Sequence, residues 1–63
     1  MTIEQYYAAV RRLGLVQSKV PTVYIHLPTG ETHNVPDPRE YDEEQRVEII
    51  EKLKERLGFG TFN

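Results

Sequence analysis

Apolar positions along this chain recur first at helical spacing, then in alternation, then at helical spacing again. Ile3, Tyr6, Tyr7, Val10 and Leu13 form the first set, one face of an amphipathic helix. Thr2 followed by Gln5 has the pattern of a capping box, in which each side chain answers the other's backbone N–H. Gly14 supplies a left-handed stop, so a helix is predicted over 3–13, with Leu15 placed to touch its last turn. Residues 16–20 read as a short polar connector, and Pro21 leads into a strand.

Alternation begins at Thr22. The runs Thr22-Val23-Tyr24-Ile25-His26 and Glu31-Thr32-His33-Asn34-Val35 flank Leu27-Pro28-Thr29-Gly30. Pro at the second position of that turn and Gly at the fourth suit a type I turn with a left-handed Gly, which closes a three-residue hairpin loop with a bulge. In that register Leu27 pairs with Glu31, Ile25 with His33 and Val23 with Val35. Val23, Ile25, Leu27 and Val35 then share the expected core face. Tyr24, His26, Thr32 and Asn34 are left on the open face. A two-residue turn would flip the second strand and set Val35 beside Tyr24; the first register is preferred because it collects the aliphatics.

The second helical pattern has two starts. Asp37-Pro38-Arg39-Glu40 reads as a separate turn, with Asp37 as cap and Pro38 at the first helical position. Asp42 with Gln45 then caps a helix predicted over 43–57, where Val47, Ile50, Leu53 and Leu57 trace an apolar stripe that Ile49 widens. Its first turn is acidic and its last basic, which complements the helix dipole, and Glu48 to Lys52 is a favourable pair one turn apart. Gly58 ends it. Beyond lies a short tail, 59–63, in which Phe59 is expected to pack on the last turn and Phe62 to be free. The expected architecture is a single α+β domain over 1–58, a two-layer αββα fold with both helices on one face of a two-stranded antiparallel sheet.

Composition narrows the setting. With 63 residues there is room for one small core, and the absence of Cys removes both a disulfide framework and a thiolate zinc site. That favours a reducing compartment. No apolar run is long enough to cross a membrane, and no basic stretch followed by an apolar one marks a secretory signal, so no membrane association and a cytoplasmic address are expected. The 8 basic and 10 acidic residues leave a formal charge of −2, too small to act as a field on a partner.

Candidate chemistry is sparse. The preferred register separates His26 from His33 across the sheet, and two imidazoles leave a tetrahedral shell half empty, so no metal is expected. Asp37, Glu40, Asp42, Glu43 and Glu44 crowd one segment, but capping accounts for them, and the stretch from Asp37 to Glu48 lacks the central Gly of a calcium loop. Ser18 has no neighbouring base, and each Gly reads as a cap, turn or spacer rather than part of a phosphate loop. No catalytic residue, cofactor site or enzyme activity is expected.

Surfaces for binding are better supported. Tyr6 and Tyr7 are about 100° apart on a helix, so one of them is placed at the rim. Together with Tyr24, Tyr41 and Phe62 they exceed what so small a core absorbs, and Tyr is favoured at interfaces because it joins area to a polar handle. The expected protein-binding residues are Tyr24, His26, Thr32 and Asn34 on the open face, then Tyr7 and Phe62. An exposed hairpin edge could also accept a strand from a partner or from a second copy, which makes a homodimer a further expectation. The alternative is a nucleic-acid-binding accessory protein using Arg11, Arg12 and Lys19 with Lys52, Lys54 and Arg56. If the helices are antiparallel, those groups fall at opposite ends and make a poor phosphate track.

No sequence family is recognised from these residues. Layout and size resemble those of the small head-tail joining protein of lambda-type phages, an architectural likeness that carries no residue across. The function it implies, beside the surplus of surface aromatics, is a non-catalytic protein-interaction module: an adaptor, virion connector or inhibitor of a host complex in a phage or mobile element.

Overall fold

Both helix starts form as their residues dictate. The computed structural model describes residues 1–58. In α1 (Ile3–Arg12), Gln5 N donates to Thr2 Oγ1 at 3.1 Å and Thr2 N donates to Gln5 Oε1 at 2.9 Å. In α2 (Glu43–Arg56), Gln45 N donates to Asp42 Oδ1 at 2.8 Å and Asp42 N to Gln45 Oε1 at 3.0 Å. Between them a single turn of 3₁₀ helix, Pro38–Glu40, is capped by Asp37. The predicted bounds of both helices overshoot by one residue, because Leu13 and Leu57 are the caps rather than the last helical positions.

Gly14 sets the sheet. With φ of 85° it turns the chain from α1 directly into β1 (Leu15–Gln17), so Val16 and Gln17, expected in a connector over 16–20, belong to a strand and only 18–20 of that stretch connect. Ser18 then folds the chain back. Its hydroxyl donates to Val23 O at 2.7 Å and its own N–H donates to the same carbonyl at 3.0 Å, while Val23 N closes a turn onto Val20 O. The sheet therefore has three antiparallel strands rather than two: β1, β2 (Val23–His26) and β3 (Thr32–Asn34), in sequence order.

The hairpin register also differs from the expected one. Val23 pairs with Asn34, Tyr24 with His33 and Ile25 with Thr32, one residue away from the predicted alignment. The loop holds residues 27–30, closed by Gly30 N to His26 O at 2.7 Å and His26 N to Glu31 O at 2.8 Å. Gly30 does take a left-handed conformation, φ 75°, but it sits inside a longer loop than the bulged three-residue one. Leu27 leaves the strand and is 64% exposed. A one-residue slip moves every side chain of a strand to the other face. Val35 accordingly joins Tyr24, and the face expected to be open is the one the helices cover.

The core follows from that choice. Tyr6, Val10 and Leu13 of α1 and its cap meet Leu15, Tyr24 and Val35 from the sheet side and Ile50 and Leu53 from α2. Full burial of each such side chain contributes about 1.5–3 kcal/mol. Tyr6 has no exposed surface, and its hydroxyl donates to Pro36 O at 2.8 Å, so its polar end is satisfied at the base of the core. Burial, reinforced by the Tyr24, Tyr7 and Tyr41 phenols and by Asp37, pushes the Tyr6 hydroxyl far above its ordinary ionisation range.

An additional strand adds one reversal of chain direction, and it changes how the helices lie. The N-terminal ends of α1 and α2 meet: the Met1 amino group is 3.5 Å from Glu43 Oε1, and Arg46 Nη1 donates to Met1 O at 3.2 Å. Arg12 and Leu13 meet Glu51 and Lys54 at the other end. The helices run in the same direction. Arg46 also donates through Nε to Pro38 O at 2.9 Å, so one guanidinium ties α2 to both the chain start and the 3₁₀ turn.

Candidate interaction surface

The outer face of the sheet gathers apolar side chains that the helices leave uncovered. Val16 lies opposite Ile25, and alternation along β2 puts Val23 on the same side, with Thr32 opposite Ile25 and Asn34 opposite Val23. Val16 is 39% and Val20 53% exposed, and Val23 and Ile25 are half-buried with no helical layer over them. Ser18, Lys19 and Val20 wall one side of a shallow hollow over Val23 and Ile25. Among the described residues Lys19 is the only charged one that lines it.

Two residues assigned to this surface from the sequence do not belong to it. Tyr24 and His26 face inward, 7% and 5% exposed, because the longer loop shifts the register and because β1 sets Leu15 across from His26. Burial also raises the Tyr24 phenol, with Tyr7 and Asp37 adding to the effect and Arg11 opposing it. Thr32 and Asn34 are on the open face and exposed. Tyr7 is half-buried, packed edge-on to Tyr6 at a ring separation of 5.9 Å, and with Arg11 and Gln17 it borders a second hollow beside β1. Phe59 and Phe62 lie outside the described residues. Val16, Val20, Val23 and Ile25 were missed as surface residues. The expected register spent Val23 and Ile25 on the core, and Val16 and Val20 were read as part of a polar connector, so none of the four was assigned to the surface.

The two histidines are a second correction. The expected register puts them on opposite faces, whereas the observed one sets both on the inner face with ring centroids 6.1 Å apart and planes at 84°. His26 Nδ1 lies 2.9 Å from Thr29 Oγ1. The Nε2 atoms of His26 and His33 are both buried and without a hydrogen-bond partner.

The basic residues are distributed by the shared direction of the helices. Arg12 and Lys54 border one hollow rather than lying at opposite ends, so the expected separation does not hold for them. Arg11 faces the β1 side, and Lys52 and Arg56 face the Tyr41 side of α2, where Glu48 lies among them. Lys54 is 3.4 Å from Glu51. Asp37 and Arg39 pair at 2.8 Å on the surface; the hydrogen bonds from Arg39 hold the Asp37 carboxyl below its usual range and raise the guanidinium in turn.

Among the described residues no three His, Cys, Asp or Glu side chains group so as to hold a metal ion, and no helix is long and apolar enough to cross a membrane. No family model, curated protein or solved structure matches the chain.

Proposed function

We propose that this protein is a non-catalytic interaction module that docks a partner protein on the outer face of its sheet. The observation that carries this reading is the uncovered aliphatic set Val16, Val20, Val23 and Ile25, flanked by Thr32 and Asn34. Apolar side chains gathered on one side of a sheet lower the free energy when a second surface excludes water from them. Lys19 at the rim gives the partner its chemistry: an apolar patch bordered by a carboxylate. Adaptor, connector and inhibitor roles all use such a surface.

Photo-crosslinking in the source cell tests it. A benzophenone side chain at Val16 or Thr32 should give one discrete protein adduct, and the same group at Glu48 on α2 should not. Adducts of equal yield from all three positions would overturn the reading, and an adduct of twice the chain mass would replace the partner by a second copy.

A nucleic-acid reading gains one observation, the meeting of Arg12 and Lys54 at a common end. Interleaved Glu48 and Glu51 weaken it. Its signature is salt dependence: binding through phosphates falls steeply between low and moderate ionic strength, and an apolar interface does not behave so.

A further inference from the structure

The two edges of the sheet are not alike, and strand pairing fixes which backbone groups each one presents. Val35 N donates to Thr22 O and His26 N to Glu31 O, both at 2.8 Å, so His33 exchanges bonds with Tyr24 while Thr32 and Asn34 turn their N–H and C=O away from β2. Both residues are exposed, and among the described residues nothing bonds those outward groups. On the opposite edge the bonds from Leu27 N to Gly14 O and from Ser18 N to Val23 O turn Leu15 and Gln17 outward. Leu15 has no exposed surface, so β1 is shut there. The β3 edge is open, and its residues Thr32, His33 and Asn34 include no Pro and no Lys, Arg, Asp or Glu, two of the usual devices that keep an edge from pairing.

We propose that the β3 edge pairs with β3 of a second copy of this chain, antiparallel about a two-fold axis at His33, to join the two sheets into one. The spacing of the outward groups selects that register. With Thr32 opposite Asn34 of the second copy, and Asn34 opposite its Thr32, every outward N–H meets a C=O. The neighbouring charges also ask for a self-complementary occupant. Between β3 and α2 lies a hollow whose lining includes Asn34, Pro36, Ile49, Glu48, Lys52 and Arg56. Glu48, Lys52 and Arg56 make no ion pair with any described residue. An axis that reverses β3 reverses α2 as well, which brings the acidic first turns of one helix alongside the basic last turn of the other, Glu48 toward Lys52 and Arg56. A partner of one charge would match half of that stripe and oppose the rest. Complementary charges met twice across one interface fix the register and reject wrong partners. The axis stands perpendicular to the sheet, so Val16, Val23 and Ile25 of both copies stay on one open face, and the docking surface proposed above is doubled rather than consumed.

Sedimentation equilibrium of the full chain up to millimolar concentration should give twice the chain mass, and amide exchange followed across that range should slow at Thr32 and Asn34 and stay fast at Gln17. A synthetic chain N-methylated at Thr32 lacks an outward donor that the monomer does not use, so it should keep the parent circular dichroism and lose the dimer. Glu48→Lys gathers like charges in the hollow and should weaken association about tenfold, since two equivalent pairs are lost, and adding Lys52→Glu should restore it. A monomer at every concentration would overturn the proposal, including one whose Thr32 and Asn34 amides are protected, which would give the edge to residues 59–63. So would a dimer that the N-methylated chain retains. A crosslinked dimer from a benzophenone at Thr32 and not at Val16, on the farthest strand, supports the edge; one from Val16 assigns the contact to the outer face and overturns it.

Discussion

The two faces of the sheet carry different chemistry, and their fates run against residue type. Along β2 the outward residues Val23 and Ile25 are purely aliphatic, whereas the inward residues Tyr24 and His26 carry polar atoms. Hydrophobicity alone would reverse them. Burial was decided instead by what the neighbouring segments could bring to each side. Gly14 joins α1 to β1 through a tight link, so α1 must lie over the face that Leu15 takes. The loop length then puts Val35 on that face as well. Leu15, Tyr24 and Val35 together with two helices outweigh Val23 and Ile25, and the hydroxyl of Tyr6 beneath them is turned to Pro36 O.

This contrast is breakable in graded steps. Leu15→Ala, on the inner face, should cost about 2–5 kcal/mol and bring the domain close to unfolding, while Ile25→Ala on the outer face should cost about 1 kcal/mol. Urea unfolding compares them, and equal costs would mean the outer face is covered too. Gly14→Ala should follow at about 1–2 kcal/mol, because φ is 85° and an added Cβ would lie 3.2 Å from Pro28 Cδ. It should loosen α1 from the inner face with the helix itself intact by circular dichroism.

Tyr6→Phe removes the hydroxyl from Pro36 O and should cost about 1 kcal/mol near neutral pH. The same change sharpens the pH profile. The folded state favours the neutral phenol, so Tyr6 contributes fully below the ordinary tyrosine value of 10.0 and loses that contribution as pH climbs above it. Alkaline unfolding of the variant should therefore be shallower above pH 10.0 than that of the parent.

The smallest effect belongs to the exposed pair outside both faces. Asp37 has a lowered carboxyl range, so its contribution is present above the usual carboxylate value and is lost as pH falls through the folded one. Asp37→Asn should flatten only the acid limb of a stability profile, and high salt should erase the difference.

Helix ends were legible because their determinants are local. Thr2 with Gln5 and Asp42 with Gln45 make their bonds within a single turn, as their spacing requires. The third strand was not, since Val16 is followed by Gln17, Ser18 and Lys19, and it is the Ser18 clamp on Val23 O that makes this stretch turn back. The register hung on one residue of loop length, and Pro28 and Gly30 are compatible with either closure. From that slip follow the displaced Tyr24 and His26 and the mistaken separation of the histidines. The shared direction of the helices has no sequence signal at all; it is arithmetic on the number of strands. Arg46 was likewise invisible, because its partners are the backbone carbonyls of Met1 and Pro38.

Strands paired in the order in which they are made carry a kinetic consequence. α1 packs on β1, β1 on β2 and β2 on β3, so almost every contact of the first 35 residues closes a short loop. Arrangements rich in such contacts fold quickly, since little chain entropy is lost before each contact forms. Among the described residues the long loops are closed by the hold of Tyr6 on Pro36 O and by the docking of α2 against α1. A growing chain can assemble helix and sheet as an open sheet-on-helix layer while α2 is still being synthesised, and the last helix then acts as the latch that seals Val10, Leu13 and Val35 from water.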